Sequence, residues 1–91
     1  MDTGEARNLL KDCLDRAEDL GYDALSKRIG ETEAFEVPGA SSRPYQIEFS
    51  ILWDHNPKGA IRVPGSIDDD GLRAFMPLTD SRLVSAPSSR T

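Results

Sequence analysis

The chain has 91 residues, 37% of them hydrophobic and 30% charged, with a formal net charge of −5 and a single cysteine. That length suits one compact domain and is short for two cores, while one cysteine excludes an internal disulfide and any zinc framework of Cys-x-x-Cys pairs. The charge is uneven: residues 1–36 hold ten acidic and five basic side chains and residues 37–91 six of each, which argues against a general nucleic-acid binder, whose affinity rests on neutralising phosphates.

No apolar run approaches the roughly 20 residues of a membrane-spanning helix, and the start, MDTGEARNLL, has neither the basic opening nor the apolar stretch of a secretion signal. The expectation is a soluble, cytoplasmic protein that makes no membrane contact. Residues 1–84 are expected to form one domain, and the tail 85–91, SAPSSRT, has nothing to bury and is expected to be disordered.

From Glu5 to Leu20 the residues Ala6, Leu9, Leu10, Cys13, Leu14, Ala17 and Leu20 recur at spacings of three and four, the repeat of one helical face. Asp2 with Glu5 fits a capping box, Gly21 a left-handed stop, and Asp12 with Arg16 an i,i+4 pair. Cys13 lies on the apolar side and reads as a small core residue. In YDALSKRIG, Asp23 can cap a short second helix that Gly30 ends.

After Glu31 the spacing changes to alternation. A brief strand is expected at 33–37, then a loop, PGASSRP, at 38–44. The clearest strand is YQIEFSILW, in which Tyr45, Ile47, Phe49, Ile51 and Trp53 point one way and Gln46, Glu48, Ser50 and Leu52 the other. Asn56-Pro57-Lys58-Gly59 fits a type I turn, joining strand 45–54 to strand 60–67 with Ile61, Val63 and Ile67 inward. Pro64 falls where a ladder donor is expected, so Pro64-Gly65 predicts a bulge or break. A strand near 72–78, a turn at Thr79-Asp80-Ser81 and a short strand 82–84 complete the pattern. Helices followed by successive hairpins predict an α+β fold: a long N-terminal helix and a short second one on one face of a three- to five-stranded, mainly antiparallel β-meander.

Chemistry is sparse. In GSIDDDG the carboxylates are adjacent, whereas a calcium loop of the EF-hand type alternates them. At most Asp68 and Asp70 can share a cation, and Asp-Gly between alternating segments predicts a hairpin turn instead. His55 sits beside Asp54 at the rim of the other hairpin, so a site combining Asp54, His55 and Asp68 needs a strand break to swing the loops together. There is no Gly-x-Ser-x-Gly elbow, no second histidine, no phosphate-cradling loop and no pattern that demands a cofactor.

Placing the strands side by side puts Glu48, Arg62, Arg73 and Arg82 on the outer face, where the three arginines can hold an anionic ligand or simply pair with Glu48 and solvent. Leu52 lies on that face, and Phe75 with it if the register holds, which is the makeup of an interface core. If the register slips at Pro64, Phe75 is core; both readings stand at this point. The run 50–85 reads as a small soluble domain of bacterial type and carries no motif of a named family. The leading expectation is a non-enzymatic interaction module that self-associates or binds a protein partner through the open face or an edge strand. The alternatives are an acidic inhibitor using Asp12, Asp15, Glu18 and Asp19 against a basic partner, and a small metal-assisted hydrolase using Asp68, Asp70 and His55.

Overall fold

The computed structural model describes residues 3–39, 44–69 and 77–87. Two helices, α1 (Thr3–Asp19) and α2 (Gly21–Ser26), precede five strand segments: β1 (Thr32–Val37), β2 (Tyr45–Ser50), β3 (Leu52–Trp53), β4 (Ile61–Asp69) and β5 (Leu78–Val84). All pairings are antiparallel, and both helices lie on one side of the sheet, so the expected α+β class holds.

β2 and β3 are two halves of one strand. Tyr45 pairs with Asp69, Phe49 with Gly65, Leu52 with Arg62 and Trp53 with Ile61, a constant offset throughout. The gap between the halves faces Pro64, which has no N–H to give Ser50. Proline thus removes one ladder bond without shifting the register, and no face is exchanged across the described pairs. The sheet runs β1, β2/β3, β4, β5, with β4 in the middle.

At the entry to β1, Gly30 at φ 93° sits third in the turn closed by Glu31 N–H to Arg28 C=O. Gly30 N–H then donates to Ile51 C=O while Ile51 N–H donates to Glu31 C=O, so two residues oppose one, the pattern of a glycine bulge. This bulge shows that Ile51 turns its backbone groups toward β1. By alternation Ser50, Leu52 and the even residues of β4 face each other, and Thr79, Ser81 and Leu83 turn their backbone groups to the outer edge of β5, which no described strand pairs.

The core follows the predicted spacing and alternation, with Leu9, Cys13 and Trp53 only partly buried against it. Ala6, Leu10, Leu14 and Ala17 of α1 and Leu25 of α2 bury against Tyr45, Ile47, Phe49, Ile51, Ile61, Val63 and Ile67, each large side chain contributing on the order of 1.5–3 kcal/mol. Gly65 belongs to the same face. A Cβ there would lie 3.0 Å from Leu14 Cδ2 and 3.2 Å from Leu10 Cδ1, so glycine is what lets the helix sit this close to β4.

Several local expectations change. Leu20 is exposed rather than core. α2 begins at Gly21, φ 88°, two residues before the expected cap Asp23. The surface pair on α1 is Lys11 to Asp15, 3.0 Å, in place of Asp12 to Arg16. The 56–59 turn closes through Gly59 N–H to Asn56 C=O as expected, but Lys58 takes φ 68° at its third position, a type II value rather than type I. Asp68 and Asp69 extend β4 instead of turning, and Thr79-Asp80-Ser81 is mid-strand in β5 because β4 supplies a ladder partner to every residue from Leu78 to Val84. Residues 72–76 of the strand expected at 72–78, the cap Asp2 and the tail residues 88–91 lie outside the described residues, while Leu78 opens β5.

Two stability predictions follow from α1's seat. Gly65→Ala should cost about 1–3 kcal/mol in urea unfolding, because Leu10 and Leu14 must give way; an unchanged midpoint would show that the close approach is not needed. The second concerns Arg82 of β5, which reaches back to α1 at Asp15 (3.0 Å) and Glu18 (3.5 Å) and pairs with Asp80 (3.1 Å). Asp15 is held below the ordinary carboxylate range by the Arg82 hydrogen bond and then by Lys11, and Asp80 by the Ser81 backbone N–H and then by Arg82. Depressed folded-state values mean the stabilisation is full above the ordinary pKa near 3.8 and fades as pH falls through the lower folded ones. Arg82→Met should therefore flatten the loss of melting temperature below about pH 4, and an acid limb as steep as that of the parent would refute the assignment.

Candidate functional site

Because the helices cover one face, the even-numbered residues of β1 to β4 and the odd-numbered ones of β5 form an open face. The register orders them in rows across the strands. Gln46 lies between Glu36 and Asp68; Glu48 lies between Ala34 and Ser66, with Thr79 beyond; Ser50 faces Thr32 on one side and Pro64 on the other, with Ser81 beyond; and Arg62 lies between Leu52 and Leu83. The face therefore has an acidic end, a middle of hydroxyls and proline, and a leucine-arginine-leucine end. Small side chains in the middle leave a groove of about 620 Å³, lined by Glu48, Ser50, Arg62, Pro64, Ser66 and Ser81 among others.

Leu52 and Leu83 are 42% and 50% exposed, although cross-strand leucines on a covered sheet would be buried. Arg62 between them is held from the turn side: its Nε and Nη2 donate to Asp54 Oδ1, both at 2.7 Å, and Nη1 donates to Ser81 Oγ at 3.4 Å. Asp54 is only 12% exposed and meets His55 Nε2 at 3.4 Å through its other oxygen, while His55 itself is 83% exposed. The turn is further pinned by Tyr22 of α2, whose hydroxyl donates to Gly59 C=O at 2.7 Å and whose ring lies 6.4 Å from that of Trp53.

Of the residues expected on this face, Glu48, Leu52 and Arg62 are there. Glu48 makes no hydrogen bond or ion pair with a described residue, because Ala34 and Ser66 flank it. Arg82 is not on it. It pairs across from Val63, so it projects to the helix side. Its pairing with Asp15 and Glu18 also engages two of the four carboxylates proposed as an acidic docking face. Arg73, Phe75 and Asp70 lie outside the described residues. Asp68 pairs with Gln46 near one end of β4, whereas Asp54 pairs with Ala60 beyond the other; eight residues of strand put them roughly 26 Å apart. His55 and Asp68 cannot share a ligand at that separation, and among the described residues no cluster of three or more His, Cys, Asp or Glu side chains has metal-binding geometry.

Leu83 was missed because the turn expected at 79–81 hid the alternation of Leu78, Asp80, Arg82 and Val84 against Thr79, Ser81 and Leu83. Cys13 is half-buried, and its thiol is pushed up by burial and then by Glu33, so it is a poor nucleophile. No helix among the described residues is long and apolar enough to cross a membrane. No family model matches the sequence, and neither a curated protein nor a solved structure matches it.

Asp54 already fills the arginine fork, so titrated pyrophosphate should leave the Arg62 Nε–H resonance in place and shift it in Asp54→Asn. A parent protein that responds as strongly as the variant would mean Arg62 is free to take anions.

Proposed function

We propose that this chain is a non-enzymatic interaction module that binds a protein partner through the open face of its sheet. The observation that carries the reading is the row Leu52, Arg62, Leu83: two exposed leucines flank an arginine held in place by a nearly buried aspartate. Anchoring Arg62 beforehand lowers the ordering cost of docking, and apolar groups around a fixed cation have the makeup of a small interface centre. The groove beside them gives a partner side chain somewhere to enter, and Glu48 at its far end, without an ion pair among the described residues, offers a second polar anchor.

A photo-crosslinking residue in place of Leu52, used in cells, should yield an adduct of one defined mass, and adding Ser66→Arg, which plugs the groove, should abolish it. The reading fails if the folded protein gives no adduct, or if the adduct survives Ser66→Arg.

A further inference from the structure

We infer that the chain forms a two-fold homodimer through the outer edge of β5, which no described strand pairs and which borders the open face. The first observation is the strand itself. In Leu-Thr-Asp-Ser-Arg-Leu-Val, residues 78–84, an antiparallel copy centred on Ser81 sets Leu78 against Val84, Thr79 against Leu83 and Asp80 against Arg82, then repeats these in reverse. Every pair is apolar, mixed or oppositely charged, and no like charges meet.

Backbone geometry permits the pairing. Thr79, Ser81 and Leu83 direct their backbone groups away from β4, so two copies can exchange about six ladder hydrogen bonds. In the single chain Ser81 N–H is taken by its neighbour, Asp80 Oδ1, at 2.8 Å. Pairing passes that N–H to the second copy and releases an Asp80 oxygen toward the second copy's Arg82. That pair occupies a non-hydrogen-bonded site of the ladder, where facing side chains are closest. Arg82 keeps its fork on Asp15 and Glu18 and gains a fourth carboxylate.

The second observation is independent and comes from α1. The flank of α1 over β5 carries Arg7, Lys11, Asp15 and Glu18 at helical spacing. Asp15 and Glu18 meet Arg82, Lys11 meets Asp15, and Arg7 is close enough to Asp80 to lower its pKa. This stripe is basic at its N-terminal end and acidic at its C-terminal end. The axis through Ser81 runs the two helices antiparallel, so Arg7 and Lys11 of one copy face Glu18 and Asp15 of the other. α1 packs over both β4 and β5; with strands about 4.8 Å apart, the two helix axes come to lie roughly 10 Å apart, an ordinary helix packing distance.

The opposite edge lacks this property. β1 carries Glu33 and Glu36, with Glu31 just before it and no cation within the strand. Acidic edge residues of that kind oppose pairing. The dimer therefore extends the sheet through β5 and leaves β1 outermost.

Sedimentation equilibrium on the full chain tests this. The average mass should rise toward twice the chain mass between about 10 µM and 1 mM, the range of a modest interface, and fall back as salt is raised. Ser81→Pro removes an outward donor without touching the β4 ladder, and Arg7→Glu with Lys11→Glu breaks the helix stripe on exposed positions; each should lower the dimer fraction at least tenfold in association constant. Hydrogen exchange at the Thr79, Ser81 and Leu83 amides should slow with concentration. A chain that stays monomeric at 1 mM, or a Ser81→Pro variant that dimerises like the parent, overturns the proposal. Ser66→Arg, which tests the open face, should leave the mass curve unchanged, so the two readings fail separately.

Discussion

The contact of α1 with Gly65 is the constraint on which the rest of the structure depends. Gly65 stands on the central strand, on the face shared by Ile61, Val63 and Ile67, where Leu10 and Leu14 close on it. A side chain there would make Leu10 and Leu14 give by a few tenths of an ångström in a core they share with Ile47, Ile61, Val63 and Ile67. Close packing makes that costly, since neighbours with little free volume must shift together. The same seat carries α1 across to β5, where Arg82 fastens it. One glycine thus sets how closely α1 seats on β4.

Covering those strands on one side leaves the open face, and Pro64 determines how that face is wired. A proline in a central strand ordinarily signals a break. Here the offset on both of its sides is unchanged, and the cost is confined to the bond with Ser50. The strand is divided in its hydrogen bonding but continuous in its side-chain alternation. That continuity sets Leu52, Arg62 and Leu83 in one row and keeps hydroxyls around Pro64.

Charge is used locally rather than as a general field. Although residues 1–36 hold all of the net charge, many of their carboxylates have specific partners: Asp15 and Glu18 meet Arg82, Glu31 and Glu33 meet Arg28, and Glu36 accepts from Gln46. On the other side of the molecule Asp54 holds Arg62. An acidic helix therefore reads differently once its neighbours are known, because paired exposed charges contribute orientation more than affinity.

The sequence by itself determined the fold class, both helices, the core and the two faces of the first hairpin, since all of these rest on local periodicity: spacings of three and four in α1, and alternation from Tyr45 to Trp53 and from Ile61 to Ile67. The same alternation made Glu48, Leu52 and Arg62 legible as open-face residues. Only the tertiary structure decided where Asp68 and Arg82 belong. Asp68 looked like a turn residue because three aspartates before a glycine favour one, yet pairing with β2 holds it extended. Arg82 has an apolar neighbour at Leu83 and another at Val84, so local pattern does not say which points inward; that depends on the register of β5 against β4. The pairing of Asp54 with Arg62, eight residues apart across a hairpin, likewise exists only when the strands are set side by side. Local preferences are written in neighbouring residues, but the side of a sheet on which an edge residue falls is fixed by a partner strand distant in the chain.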